Sequence, residues 1–360
     1  MKYLNSLYFL MLCIAITLSS CNDGIEPNDN AIQFGYDTRS LEPDYATVHG
    51  TAATIWGYST NGGWVYGSEN GLTATLNTTD NTFTVEGVDT ENYPEYWSND
   101  SYHFYSLWPP ITNSADGTSG GIRFVDDANR KGLYFYFDTK DQKDQLASYF
   151  TVSGNNAASR TEPVHFEYKH ICSKLIFNIR KNTANSNEHV ALLSFKLHNV
   201  NTFGTCSYRQ SSTPVWATAD ADKTIITLYE KKNANGESVK KDDKLATYDE
   251  ITAEVNGTNV VDGGYLIIPQ TVPYNAVAIS FTYGFVHEVD AENGDKEYEV
   301  YNVKEVNNVY LPIQTINKWE QNKKYTYNIY LAAESNDIVF GTPTVSTWRE
   351  RQGGSTIIIQ

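Results

Sequence analysis

The chain has 360 residues, which suits two domains better than one ordinary core. Aromatics reach 13%, with 26 tyrosines and 7 tryptophans, and Thr-rich and Asn-Gly stretches recur, a composition that favours an all-β protein. The formal net charge of -16 argues against nucleic acid as a partner, because phosphate contacts need a basic surface to displace counterions.

Residues 1–20 read as an export signal rather than as part of the fold. Lys2 supplies the positive end and residues 7–18 an apolar core, too short to cross about 30 Å of hydrocarbon comfortably as a helix. The ending Leu18-Ser19-Ser20-Cys21 resembles a bacterial lipobox, which implies acylation of the Cys21 thiol and attachment to the outer membrane. The alternative is ordinary signal cleavage with Cys21 incidental. Residues 21–40 then hold a short acidic tether and a first strand in which Ile32, Phe34 and Tyr36 alternate with Gln33 and Gly35. The sequence Asp37-Thr38-Arg39-Ser40 breaks that alternation.

Residues 52–66 (AATIWGYSTNGGWVY) read as two strands around the turn signal Asn61-Gly62-Gly63. Short strands follow at 72–76, 82–88 and 102–108, the last stopped by Pro109 and Pro110. Residues 122–125 and 133–137 form a hairpin or crossover, and 141–150 is the one place where a short helix or loop turn is expected. The polar run 153–162 (SGNNAASRTE) is the linker candidate, giving one β-sandwich over 41–160 and a second over 161–360.

Residues 164–180 (VHFEYKHICSKLIFNIR) are the stretch on which both halves converge. Val164, Phe166 and Tyr168 are apolar at even positions and Leu175, Phe177 and Ile179 at odd ones, so the period-2 pattern slips by one near 172–174. A bulge or a strand changing sheets produces that slip. Beyond it, strands are expected at 191–197, 224–229, 265–268 and 278–285, with a clear hairpin whose arms are 286–289 and 298–303. The chain closes with strands at 324–331, 338–340 and 345–348 and then Ser355-Thr356-Ile357-Ile358-Ile359-Gln360. Three consecutive isoleucines at a terminus invite pairing with another chain unless a groove covers them.

No catalytic elbow, zinc motif, phosphate loop or other cofactor motif is present, so no catalytic residue, metal or cofactor is assigned. His170 and Cys172 stand two apart on a strand, which admits an imidazole-activated thiol but fits a buried pair better. Cys172 and Cys206 are read as two buried thiols in preference to a disulfide. The run Asp290-Ala291-Glu292-Asn293-Gly294-Asp295 is read as a solvated hairpin turn, since it lacks the ligands of a calcium loop. Trp56, Tyr58, Trp64 and Tyr66 flank one hairpin, and either make a glycan-stacking face or fill a core.

Several segments together resemble the fimbrillin family, the Mfa-like lipoproteins that build type V pili. They are the lipobox, residues 96–109 (YWSNDSYHFYSLWP), 166–175 (FEYKHICSKL), 265–272 (YLIIPQTV), 319–331 (WEQNKKYTYNIYL) and 345–348 (VSTW). Gln321-Asn322-Lys323 departs from the family, which more often has a glycine before its Lys-Tyr-Thr-Tyr. The resemblance implies two tandem transthyretin-like β-sandwiches and export as a surface lipoprotein. It also implies a fimbrial subunit polymerised by donor-strand exchange with other pilus subunits. On that expectation cleavage after Arg39 removes the strand bearing Ile32, Phe34 and Tyr36, and a neighbour's Ile357, Ile358 and Ile359 replace it. The alternatives are that Arg39 is a turn residue, that the terminal isoleucines pair within their own chain, and that the protein is a monomeric glycan-binding surface lipoprotein.

Overall fold

In the computed structural model the described residues are 31–36, 45–61, 63–67, 71–86, 96–110, 123–125, 132–140, 142–154, 156, 160, 162–181, 188–209, 213–254, 257–312, 316–331, 338–348 and 357–358. Their regular structure is almost all strand; besides the strands there are the five-residue helix α1 (Tyr45–His49), a helical turn that includes Gly154 and Asn156, and a 3-10 turn at Asp220–Asp222. The all-β expectation is met. The strands fall into four substantial sheets.

The first sheet has nine strands. It is built from β1 (Phe34–Tyr36), β2 (Ala52–Ser59), β3 (Gly63–Tyr66), β4 (Leu72–Asn77), β5 (Thr82–Val85) and β6 (Tyr102–Trp108), together with three strands from further along the chain. Between these groups come β7 (Arg123–Val125) and β8 (Gly132–Asp138), which belong to another sheet. The later strands of the first sheet are β9 (Leu146–Val152), β10 (Val164–Phe166) and β11 (Lys169–His170). Their order is β10-β1-β5-β4-β2-β6-β9-β11, with β3 on β2. The two ends of this order are neighbours in sequence, separated only by Glu167 and Tyr168, so one run of chain links the two edges of the sheet. Phe34, Tyr66, Phe104, Trp108, Phe166 and Tyr168 fill its interior.

β9 takes up the second half of the segment where a short helix or loop turn was expected. Leu146, Ala147 and Ser148 are all buried, and the strand pairs with β6 on one side and β11 on the other, so sheet contacts override the local helical composition.

The second unit is a sandwich. One sheet is centred on β12 (Ser173–Arg180), and the other contains β13 (His189–Val200). Next come β14 (Phe203–Tyr208) and β15 (Val215–Ala217), then β16 (Thr224–Glu230), β17 (Lys244–Leu245), β18 (Thr258–Asn259) and β19 (Tyr265–Ile267). The remaining strands are β20 (Gln270–Thr271), β21 (Ala278–Asp290), β22 (Lys296–Tyr310), β23 (Lys318–Trp319), β24 (Lys323–Leu331), β25 (Ile338–Phe340), β26 (Thr344–Thr347) and β27 (Ile357–Ile358). One face is β18-β12-β24-β26-β27, with β19 and β25 attached; the other is β16-β13-β21-β22-β17. Strand β12 alternates buried and half-buried residues and runs parallel to β24, with Leu175 opposite Tyr325, Phe177 opposite Tyr327 and Ile179 opposite Ile329. Facing aromatics close the core: Phe177 lies 5.3 Å from Tyr327 and 5.1 Å from Phe195 between centroids.

A four-stranded sheet, β15-β14-β8-β7, joins the halves, since β8 pairs with β14 from Leu133–Tyr208 to Asp138–Phe203. Sheet membership changes between His170 and Ser173, where the sequence pattern slips and Ile171, Cys172 and Ser173 are buried in succession. Residues 164–170 thus belong to the first sheet although they follow the expected linker. Within that linker Arg160 is pinned to the first unit. Its guanidinium lies 4.9 Å from the Phe150 centroid and 5.6 Å from that of Trp97, and its Nη2 donates to the Pro163 carbonyl at 2.7 Å.

Candidate functional site: the seat of the first strand

Ile32, Phe34 and Tyr36 all lie against the first core, and β1, which carries the last two, lies between two strands rather than at the edge of its sheet. β1 runs parallel to β10, with Phe34 opposite Val164 and Tyr36 opposite Phe166, and antiparallel to β5, with Phe34 opposite Phe83. The Val164 N–H donates to the Gln33 carbonyl at 2.7 Å, and the Tyr36 N–H to the Asn81 carbonyl at 3.3 Å. Loss of this strand would leave backbone groups unpaired on two neighbours at once.

The side-chain seat is aromatic. Phe34, 3% exposed, meets Tyr66 and Phe104 edge-on at 5.0 and 5.4 Å and stacks on Phe166 at 5.9 Å. Tyr36 meets Trp108 at 5.6 Å and Phe83 at 6.2 Å, and partial burial raises its phenol above the usual tyrosine value. Ile32 is 4% exposed, and a cavity of about 230 Å³ lies alongside, lined by Ile32, Phe34, Tyr66, Phe83 and Val85. The outer side is tight: a Cβ added at Gly35 would stand 3.1 Å from the Asn81 carbonyl oxygen. The seat therefore accepts a strand with large apolar groups at alternate positions and a small residue between them.

At the other terminus, Ile357 and Ile358 form β27 and pair antiparallel with Val345 and Thr344 of their own chain. In the isolated chain the terminal strand is thus held in cis. Cys21, Arg39 and Ile359 lie outside the described residues.

The four candidate glycan-stacking rings do not make a common open face. Trp56 and Tyr58 pack in the core beneath the joining sheet, and Tyr66 packs against Phe34 in the first core. Only Trp64 is presented to solvent, at 37% exposure, edge-on to Tyr58 at 5.9 Å. The reason is the register: Tyr66 lies opposite Gly57, and Trp64 opposite Tyr58, so one ring of the hairpin turns inward and the other outward.

His170 and Cys172 do not form an activated pair. The His170 Nδ1 is 2.8 Å from Asp144 Oδ2, while burial, with Asp144 and Cys206 nearby, pushes the Cys172 thiol well above its ordinary value. A nucleophile needs the opposite shift. Cys172 and Cys206 are both free and buried. Beside the hairpin turn after β21, the ammonium of Lys296, the first residue of β22, lies 2.7 Å from Asp290 and 2.9 Å from Glu288.

The profile of fimbrillin-like proteins matches residues 43–348. The chain belongs to the fimbrillin-like family. The matched span stops short of both termini, and so leaves out β1 and β27, the two strands whose pairing is at issue. Solved structures share the fold. One is described as a fimbrial protein from Bacteroides vulgatus, 15% identical, covering 88% of this chain and 99% of its own, with a TM-score of 0.57. Another is described as a cell adhesion protein from Bacteroides uniformis, also 15% identical, covering 89% and 98%, with a TM-score of 0.50. No curated protein sequence matches this fimbrillin-like chain.

Sequence reasoning overlooked what holds each terminal strand. The partner of β1 was hidden because Val164 and Phe166 lie more than 120 residues away, beyond the reach of any local pattern. Their even-position alternation was the available signal. The packing of Trp348 on His170 was likewise unseen, although both residues lie in segments that carry the family resemblance.

Proposed function

We propose that this fimbrillin-like protein is a structural or tip subunit of a cell-surface fimbria. It is exported as an outer-membrane lipoprotein anchored at Cys21, and cut after Arg39. Neighbouring subunits join by donor-strand exchange. The observation that carries the reading is the position of β1, an apolar strand near the N-terminus that is paired on both sides, between β10 and β5, yet connected to the tether by only a few residues. Its removal strips Ile32, Phe34 and Tyr36 from an aromatic seat and leaves two unpaired edges, an arrangement costly in water and satisfied by an incoming strand. Ile357 and Ile359, two residues apart, match the spacing of Phe34 and Tyr36, and Ile358 then falls at the Gly35 position, where the Asn81 carbonyl, 3.1 Å from a Cβ there, has to shift to admit it. Family membership and the fimbrial description of a fold neighbour support a role at the cell surface.

The test is treatment of purified precursor with an Arg-specific protease, in an Arg349→Lys, Arg351→Lys background that keeps the terminal segment attached. The intact protein forms SDS-resistant ladders, whereas Arg39→Ala and a chain lacking residues 355–360 stay monomeric; ladders from either variant would sink strand exchange through these segments. Separately, Cys21→Ala should release the protein from the membrane fraction or leave an unprocessed precursor, read by fractionation and mass.

A further inference from the structure

Trp348 is the last described residue before β27, and it is held from several directions. Its ring stacks on His170 with centroids 3.8 Å apart and planes 5° from parallel. The Lys174 ammonium lies 4.4 Å from the indole centroid. The Trp348 backbone N–H donates to the Asn322 carbonyl at 3.0 Å, and the Asn322 backbone N–H in turn donates to the Cys172 carbonyl at 3.0 Å. His170 is itself fixed by Asp144 at 2.8 Å. The indole is 2% exposed and belongs to the core shared by the joining sheet and the first unit.

The strands on either side of this residue are held very differently. β26, just before it, pairs with β24 over four residues from Lys323–Thr347 to Thr326–Thr344, and Val345 packs against the second core. β27, after it, pairs over two residues with β26 alone and is the outermost strand of its sheet among the described residues. Withdrawing β27 breaks a short ladder, whereas withdrawing β26 would break a longer one and drag a buried indole out of a stack and a cation–π contact.

Resting on the strand-exchange reading, we infer that the segment passed to a second copy of this chain begins immediately after Trp348, and that Trp348 is the fixed point from which it departs. Residues 349–360 span about 40 Å when extended, and that length is free to leave while β26 and Trp348 stay at home. The junction between subunits would then lie beside the joint between the two units of the donor.

Two engineered disulfides test this. Both are made in an Arg349→Lys, Arg351→Lys background so that the Arg-specific protease leaves the terminal segment intact. Thr344→Cys with Ile358→Cys ties β27 to β26, and Lys323→Cys with Thr347→Cys ties β26 to β24, with each bridge verified by mass. Protease-treated precursor carrying the first bridge should lose at least about tenfold in ladder formation and regain it on reduction, while the second bridge should leave ladders unchanged. Loss of ladders with the second bridge, restored by reduction, would place the departure point before β26 and overturn the inference while leaving strand exchange standing. Ladders with both bridges closed would overturn the exchange reading itself.

Discussion

The first and last strands among the described residues are both short, apolar and close to a terminus, yet they are held in opposite ways. β1 is paired on both sides, and its side chains fill a nest of aromatic rings; β27 is paired on one side, over two residues. Hydrophobicity alone does not separate them. The difference lies in whether the rest of the fold has been built around the strand or merely has room beside it. A strand of the first kind leaves a specific void when it goes, and a strand of the second kind leaves its sheet nearly intact.

The largest test of that contrast is Phe34→Ala in the unprocessed protein. Removing a buried phenylalanine from among Tyr66, Phe104 and Phe166 should cost about 4 kcal/mol, measured by chemical denaturation. A cost below about 1 kcal/mol would mean that the seat collapses readily and is not a stable void for another strand.

A second test uses pH. Burial raises the Tyr168 phenol in the first core and the Tyr327 phenol in the second above the ordinary value. The folded protein keeps these protons while the unfolded chain releases them. Stability is therefore fully present below about pH 10 and falls above it, by about 1.4 kcal/mol per pH unit for each such tyrosine. Alkaline unfolding followed by tyrosinate absorbance should show the buried phenols ionising only with loss of structure. Simple titration of all 26 tyrosines before unfolding would contradict the packing described.

The smallest effect is expected at the other end. Deleting residues 357–360 should change the monomer's unfolding free energy by no more than about 0.5 kcal/mol, because a two-residue outer ladder contributes little. A much larger loss would make β27 an integral strand and erase the contrast with β1.

Much of the fold was legible in the sequence because the sheets bury one face and so impose strict alternation. The slip between Tyr168 and Leu175 marked the change of sheet within a few residues, and the turn signal at 61–63 marked the hairpin of β2 and β3. The apolar face of the first strand was read from Ile32, Phe34 and Tyr36 alone. What sequence could not supply was the identity of neighbours in space. Nothing local tells that β1 lies between β5 and β10, or that β8 pairs with β14 across the two halves. The aromatic hairpin shows the same limit: Trp64 and Tyr66 look alike in sequence, and only the register against Gly57 and Tyr58 sends one outward and the other in. The run 141–150 also misled in its second half, because burial of Leu146, Ala147 and Ser148 decided the structure there.

The run from β10 to β12 has a mechanical meaning. A strand seated in place of β1 would lie alongside β10, so tension on it would act along the direction of the strands and load their hydrogen bonds together in shear rather than peel them one by one. From β10 the load would pass within a few residues into β12, whose parallel register with β24 runs unbroken from Lys174–Lys324 to Arg180–Tyr330. One continuous piece of chain would thus carry force from the seat of the incoming strand into the core of the second unit, much as a tendon runs through a joint instead of ending at it.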